Sequence, residues 1–171
     1  HVNTTFMLVM QHDYQLVRPF DVRGLLRTMR NSSVVKHVRL NARPNIVRGF
    51  DGVLENFTGP GVHVPLTRTC GWSDCPHVAS VHYYRSFVIP KNRGDHNGGS
   101  RKFMEESIHY PMQRNGMKGG CWELKQRIKR GEPRLWPDDF ALYGTFLYGV
   151  DSPRDGSYTV HRSLRGNEPQ W

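Results

Sequence analysis

Residues 4–13 read TTFMLVMQHD, and this stretch decides how the rest of the chain is interpreted. Its middle part, residues 6–10, is continuously apolar, which is typical of a strand with both faces covered in an α/β sheet. Gln11, His12 and Asp13 follow directly. Open α/β sheets bind ligands at the carboxyl ends of their strands, so these polar side chains are candidate site residues. A buried strand that simply ends in a polar turn explains the same pattern.

A helix and a second strand are predicted next. Asp21 is a candidate N-cap, and Arg23 lies off the apolar face of the helix that follows. Residues at helical spacing form that face: Val22, Leu25, Leu26 and Met29. Residues 34–40 (VVKHVRL) predict a second strand, which completes a βαβ unit with parallel strands. Within it, His37 is expected to be a packed or edge histidine rather than a ligand.

The middle of the chain is rich in glycine and proline. Residues 41–69 show no periodicity and predict a long surface excursion with room for one short strand. In residues 70–77 (CGWSDCPH), Ser73 or Asp74 is a candidate cap for a helix with Pro76 in its first turn. That helix would extend through Val81, and a strand is expected near residues 86–89.

The second half predicts two helices and a final strand region. Residues 91–101 predict a polar loop, and residues 102–114 a helix with Glu105 and Glu106 in its first turn. Carboxylates there complement the helix dipole, and one of them could equally serve as a general base. The further predicted elements are a short basic helix at 122–130, a strand pair or buried loop at 140–150, a strand at 158–162 and a loose tail at 166–171. Together these elements predict one domain spanning residues 1–171.

Composition restricts the classes of partner. The chain has 24 Lys and Arg against 15 Asp and Glu, a formal charge of +9, which favours anionic ligands. The basic residues are dispersed, so no nucleic-acid motif is indicated, and no apolar segment is long enough to span a membrane. Three sequons, at Asn3, Asn31 and Asn56, weigh towards the lumen of the secretory pathway (Golgi or endoplasmic reticulum) or secretion.

Cysteine is sparse, with Cys70, Cys75 and Cys121 in the whole chain. One disulfide with one free thiol, or three reduced thiols, are both compatible with this number. A zinc site formed by Cys70, Cys75 and His77 is disfavoured, because the paired ligand spacing of zinc sites is missing.

The order of several short motifs resembles the family-2-like glycosyltransferases of the GT-A fold. The motifs are QHD after the first strand, W-S-D-x-x-H, F-M-E-E at a helix start, Y-G-T-F-L-Y and a late V-H-R-S-L-R-G. The likeness is to the second half of that family's domain and covers roughly residues 4–166. It implies a Rossmann-like mixed sheet flanked by helices, without the amino-terminal strands that bind the nucleotide base.

The resemblance also implies roles for individual residues. Asp13 would hold Mn²⁺ or Mg²⁺ together with His161, and Gln11 and His12 would complete the donor site. Gln11 departs from the family, which has an acidic residue there. Glu106 would be the catalytic base with Glu105 beside it. Two further positions would line the sugar or acceptor pocket: Trp72, as an apolar stacking face for a pyranose, and Asp74.

On this resemblance the protein is expected to transfer a sugar from a nucleotide-sugar donor to a hydroxyl of a glycan or protein acceptor, with inversion. The chain enters its first strand within about three residues of its start, so a processed chain or a fragment is expected. The half-built donor site leaves a second interpretation, a non-catalytic glycosyltransferase-like subunit held by other proteins. A third is a copper oxygenase that uses His1 as an amino-terminal ligand.

Overall fold

The computed structural model describes residues 3–46, 52–93, 103–115, 120–132 and 142–162. Its strands are β1 (Phe6–Val9), β2 (Tyr14–Leu16), β3 (His37–Arg39), β4 (Val53–Phe57), β5 (Leu66–Thr69), β6 (His77–Ser80), β7 (Thr145–Tyr148) and β8 (Thr159–His161). Its helices are α1 (Val22–Asn31), α2 (Val81–Tyr83), α3 (Ile89–Arg93), α4 (Met104–Asn115) and α5 (Gly120–Lys129). A π-helical stretch, Tyr84–Val88, joins α2 to α3.

Six strands form one mixed sheet in the order β1-β6-β3-β7-β5-β4, and β2 pairs with β8 in a separate antiparallel ribbon. Neighbouring strands of the sheet are antiparallel except β3 and β7, which are parallel. Because β6 is antiparallel to both β1 and β3, those two strands run parallel to each other. The predicted α/β class and the parallel βαβ relation are therefore confirmed, although β6 lies between the two strands.

The position of β1 differs from the prediction. A strand covered on both sides was expected, whereas β1 lies at the edge of the sheet and, among the described residues, pairs with β6 alone. Leu8 is 49% exposed and Met10, just after the strand, is 37% exposed. The apolar run forms a strand as predicted, but the run by itself does not determine whether that strand is central or at an edge.

The two faces of the sheet are covered by two different core clusters, and one of these faces also holds a buried histidine. Side chains alternate along a strand, so Val38 packs in one core cluster with Leu25 of α1 and Phe146 of β7. Its neighbour His37 points to the other face, where it stacks on Trp72 at 5.2 Å between ring centroids. A second core cluster covers that face and joins the carboxyl half of the chain to it, with Trp72, Tyr83, Ile108, Met112, Leu124 and Tyr143 among its members.

Three local predictions are wrong. The segment 41–69 was expected to be mostly loop, and it contains two paired strands, β4 and β5. The helix expected after Asp74 is instead β6, which is held on both sides by strand pairing, and Ser80 rather than Ser73 or Asp74 caps the helix that follows. The strand expected at 86–89 is π-helical and then α-helical. The wider turn there accommodates Pro90, which lacks the N–H that a regular helix requires.

The remaining elements agree with the sequence. The Asp21 carboxylate caps α1 by accepting a hydrogen bond from Gly24 N at 2.9 Å. Ile108 and Met112 are buried on α4, and Pro111 lies inside this helix. The predicted segments 91–101 and 166–171 fall largely outside the described residues. No helix in the described ranges has the length and apolarity needed to cross a bilayer.

Candidate functional site

Asp13 and His161 come together on the β2–β8 ribbon. Asp13 directly precedes β2, and His161 is the last residue of β8, opposite Tyr14 in the strand register. The Asp13 carbonyl accepts a hydrogen bond from Arg162 N at 2.7 Å, and His161 Nε2 lies 2.9 Å from Asp13 Oδ2. Both side chains reach solvent, with 26% of Asp13 and 38% of His161 exposed.

The ribbon is anchored at the carboxyl edge of the parallel strands. Tyr158 N donates to the carbonyl of Asn41 at 2.9 Å, and Thr159 Oγ1 donates to the carbonyl of Leu40 at 2.8 Å. These two carbonyls follow β3 directly. The Asp13–His161 pair therefore lies near the carboxyl ends of β1 and β3, at the edge where open α/β sheets bind ligands.

Tyr14 links this pair to the 73–75 loop. Its ring meets the His161 ring edge-on with centroids 5.0 Å apart, and its hydroxyl lies 3.2 Å from Cys75 Sγ. Ser73 Oγ donates to the same sulfur at 3.1 Å. Burial raises the pKa of Tyr14, and the nearby charges of Asp13 and Asp74 raise it further, so this phenol stays neutral at physiological pH.

Asp74, one of the predicted pocket residues, therefore lies in the same neighbourhood as Asp13. Its charge also raises the pKa of Tyr84, for which burial is the larger cause. Asp74 is half-buried. The charges of Asp13 and Asp74 thus both act on Tyr14, and the His161 ring contacts it, although Asp13, Asp74 and His161 lie on segments that are far apart in the chain.

Trp72, in contrast, lies in the core. It is 0% exposed and stacked on His37, so its ring offers no open face for a pyranose. The predicted stacking role does not fit this burial. The Trp72 carbonyl lies 3.1 Å from His109 Nδ1, a contact that ties the loop to α4.

The other predicted site residues lie just before Asp13 and in the first turn of α4. Gln11 is half-buried and its carbonyl accepts a hydrogen bond from Tyr14 N at 3.2 Å, while His12 is exposed. Glu105 and Glu106 lie in the first turn of α4, as predicted, with Glu105 half-buried and Glu106 exposed. His109, on this same helix, contacts the carbonyl of Trp72, two residues before Asp74.

A pair of histidines that the sequence analysis did not connect occupies the polar face of the sheet. The His37 and His77 rings lie 4.3 Å apart and both are fully buried. His37 Nδ1 lies 2.9 Å from Thr145 Oγ1. Burial lowers the pKa of both histidines, that of His77 to about 4, so both are neutral at physiological pH. His37 is packed, as predicted.

The zinc interpretation has no support in this geometry. Cys70 is disulfide-bonded and Cys75 is a free thiol. Both ring nitrogens of His77 already have partners, Nδ1 with the Cys75 carbonyl at 2.7 Å and Nε2 with the Tyr84 hydroxyl at 2.6 Å. His1, the residue on which the copper interpretation rests, lies outside the described residues.

The Asp13–His161 pair has the donor types that suit a hard divalent cation, a carboxylate oxygen and one imidazole. Within the described ranges, no group of three or more His, Cys, Asp and Glu side chains is arranged to hold a metal ion. Mg²⁺ and Mn²⁺ need no such group where a substrate diphosphate and water complete the coordination shell. Two protein ligands therefore fit a cation that binds together with a nucleotide.

Two members of this site, Tyr14 and Cys75, were missed by the sequence analysis. The position of Tyr14 directly after Asp13 was the one available signal, since strand pairing then sets it opposite His161. Comparison of the chain with family models, characterised proteins and solved structures gave no match.

Proposed function

We propose that this chain is a metal-dependent glycosyltransferase domain that transfers a sugar from a nucleotide-sugar donor to a hydroxyl acceptor. The observation that carries the proposal is the contact between Asp13 and His161, which meet at the carboxyl edge of β1 and β3. Both residues stand at the positions that the GT-A resemblance gives to metal ligands. The +9 charge of the chain is compatible with an anionic donor.

Asp13 and His161 would hold the Mn²⁺ or Mg²⁺, which supplies positive charge beside the leaving diphosphate. Asp74, whose charge acts on Tyr14 in the same region, would contact the donor sugar or the acceptor. Neutral Tyr14 positions the His161 ring through their edge-on contact. The side chains of Gln11 and His12, next to Asp13 in the chain, complete this donor side.

Glu106 is the proposed base. It is exposed at the first turn of α4, where an incoming acceptor can reach it, and Glu105 lies beside it. In an inverting displacement, the acceptor oxygen forms a bond to the anomeric carbon while the bond from that carbon to the diphosphate oxygen breaks. The acceptor proton passes to the Glu106 carboxylate, and the nucleoside diphosphate leaves.

The test is hydrolysis or transfer of nucleotide-sugars with Mn²⁺ added or removed by a chelator. We expect turnover that requires the metal, is lost in Asp13→Ala and falls at least tenfold in Glu106→Gln. Glu132→Gln is the matched control, since Glu132 is a surface carboxylate engaged by Arg127 on α5. Absence of turnover with each of the common nucleotide-sugars, or turnover that Asp13→Ala leaves intact, would overturn the proposal.

A second candidate, a glycosyltransferase-like subunit held by other proteins, is favoured by the edge position of β1. An edge strand presents backbone N–H and C=O groups that another chain can pair with, and Leu8 and Met10 are exposed there. In that case a stoichiometric complex isolated from the native source would be lost when Leu8 is replaced by lysine. The same substitution would leave nucleotide-sugar turnover unchanged if the chain acts as an enzyme alone.

The secretory lumen is the proposed location. Asn3, Asn31 and Asn56 are all exposed, so an oligosaccharide can be attached without unfolding. A loss of mass on glycosidase treatment of the native protein is expected, and an unchanged mass would contradict this location.

A further inference from the structure

A cavity lies at the opposite end of the sheet from Asp13. It has a volume of about 470 Å³, within the range of roughly 300–1,000 Å³ that is usual for small-molecule sites. Phe6 at the amino end of β1, Lys36 just before β3 and Leu142 ahead of β7 all line it. Since Asp13 follows the carboxyl end of β1, the two sites are separate.

Basic and neutral side chains form the polar part of this cavity's lining. Three basic residues line it, Arg30 at the end of α1, Lys36 and His82, together with four serines, and no acidic residue is among its described lining residues. Arg30 and His82 are exposed at its rim, whereas Lys36 is half-buried. Burial lowers the pKa of Lys36, which reflects the cost of holding a cation in a partly dehydrated position.

The other part of the lining is apolar. Phe6 and Phe87 contribute aromatic rings and Leu142 an exposed side chain, and the floor includes the buried residues Val35 and Tyr83. A simple inorganic ion would leave this apolar surface in contact with water. A ligand that has a flat or apolar part as well as an anionic group would cover both kinds of surface.

We infer that this cavity binds a small organic phosphate, with its phosphate beside Arg30, Lys36 and His82 and its apolar part against Phe6 and Phe87. Phosphate is favoured because basic side chains and four serines line the cavity and its described lining has no acidic residue. The inference does not depend on the proposed glycosyl transfer, since it uses none of the residues near Asp13.

Calorimetric titration with phenyl phosphate, in the presence of a chelator so that no divalent cation takes part, tests the inference. Phenyl phosphate is expected to bind more tightly than either inorganic phosphate or benzyl alcohol. Inorganic phosphate has the anionic group without the ring, and benzyl alcohol has the ring without the anionic group. Arg30→Gln and Lys36→Gln should each weaken binding about tenfold. Arg23→Gln, on the same helix but away from the cavity, is the matched control and should bind as the wild type does.

Two further variants test the sign of the charge that the cavity prefers and its independence from the proposed metal site. Ser86→Glu places a carboxylate at the exposed rim, away from the three sequons, and should also weaken binding about tenfold. Asp13→Asn should leave binding unchanged, which separates this cavity from the proposed metal site. No binding of phenyl phosphate at millimolar concentration would overturn the inference, and so would equal weakening by Arg23→Gln or equal affinity for benzyl alcohol.

Discussion

His161 Nε2 lies 2.9 Å from Asp13 Oδ2, although 148 positions separate the two residues in the chain. The β2–β8 ribbon creates this contact, because its register sets Tyr14 opposite His161 and so brings Asp13 alongside. The pair is partly open to solvent at the carboxyl edge of the parallel strands. A carboxylate and an imidazole held in this way can bind a ligand, and they can also stabilise the ribbon.

The pair is expected to add little to the stability of the fold. Partly exposed ion pairs contribute at most about 1 kcal/mol, so Asp13→Asn should lower the free energy of unfolding by no more than about that amount. Urea denaturation measures this change, and Thr159→Val, which removes a buried hydrogen bond to the Leu40 carbonyl, serves as a comparison that should cost more. A loss of about 3 kcal/mol or more in Asp13→Asn would show that the pair mainly holds the ribbon together.

The free energy of unfolding should decrease as the pH is lowered, because His77 is buried in its neutral form. Burial lowers the pKa of His77 to about 4, against an ordinary value of 6.5. Below pH 6.5 the unfolded chain takes up this proton and the folded chain does not, so stability is complete above pH 6.5 and declines towards pH 4. The decline from this residue is on the order of 3 kcal/mol. Urea unfolding at a series of pH values should show this decline, and the free energy of unfolding should depend less steeply on pH in His77→Gln.

The exposed residue His82 supplies the control for this pH effect. His82→Gln should retain the wild-type slope between pH 4 and 6.5, because His82 is exposed and takes no part in the buried histidine pair. A slope that His77→Gln leaves unchanged would contradict the assignment of the effect to the buried histidine.

The first turn of α1 depends on Asp21. Its carboxylate accepts the hydrogen bond from Gly24 N, so Asp21→Ala should reduce the free energy of unfolding by about 1 kcal/mol. Asp21→Asn retains a capping oxygen and should cost much less. Equal losses in the two variants, measured by urea denaturation, would mean that the charge of Asp21 matters and its capping does not.

Gly144 should tolerate no side chain. Its φ is +52°, and a Cβ there would lie 2.6 Å from the carbonyl oxygen of Val34. The Gly144 carbonyl also accepts hydrogen bonds from Lys36 N and His37 N, so the backbone cannot shift without loosening the start of β3. We expect Gly144→Ala to cost roughly 2–5 kcal/mol, the sum of left-handed strain and overpacking.

Gly131→Ala separates these two causes. Gly131 has φ +67° but nothing within 4 Å of the added Cβ, so strain alone, about 1 kcal/mol, is expected. If the two substitutions cost the same in thermal or urea unfolding, close packing at Gly144 is not the reason for its glycine.

The elements that the sequence predicts well are those whose signals are local. Asp21 and the spacing of Leu25 and Met29 define α1 without reference to any other part of the chain. The helix expected after Asp74 fails because Ser73, Asp74 and Pro76 look like the start of a helix. Strand pairing on both sides of Val78 overrides that local preference.

Contacts between segments that are distant in the chain cannot be predicted from local sequence patterns. The apolar run of β1 is the same whether the strand is central or at an edge, and the pairing of the strands shows that it is at an edge. Asp13 and His161 were connected by a family resemblance rather than by spacing. The closeness of His37 to His77 and the burial of Trp72 both follow from packing between distant segments.

Paramagnetic broadening by Mn²⁺ tests most directly whether Asp13 and His161 form a metal site. The ring resonances of the histidines are followed by NMR while Mn²⁺ is added at substoichiometric amounts with uridine diphosphate. We predict that the His161 signals broaden before those of the exposed His63 and His82, and that Asp13→Asn removes this preference. Broadening of His161 no greater than that of His63, or a preference that survives Asp13→Asn, would contradict the proposed site.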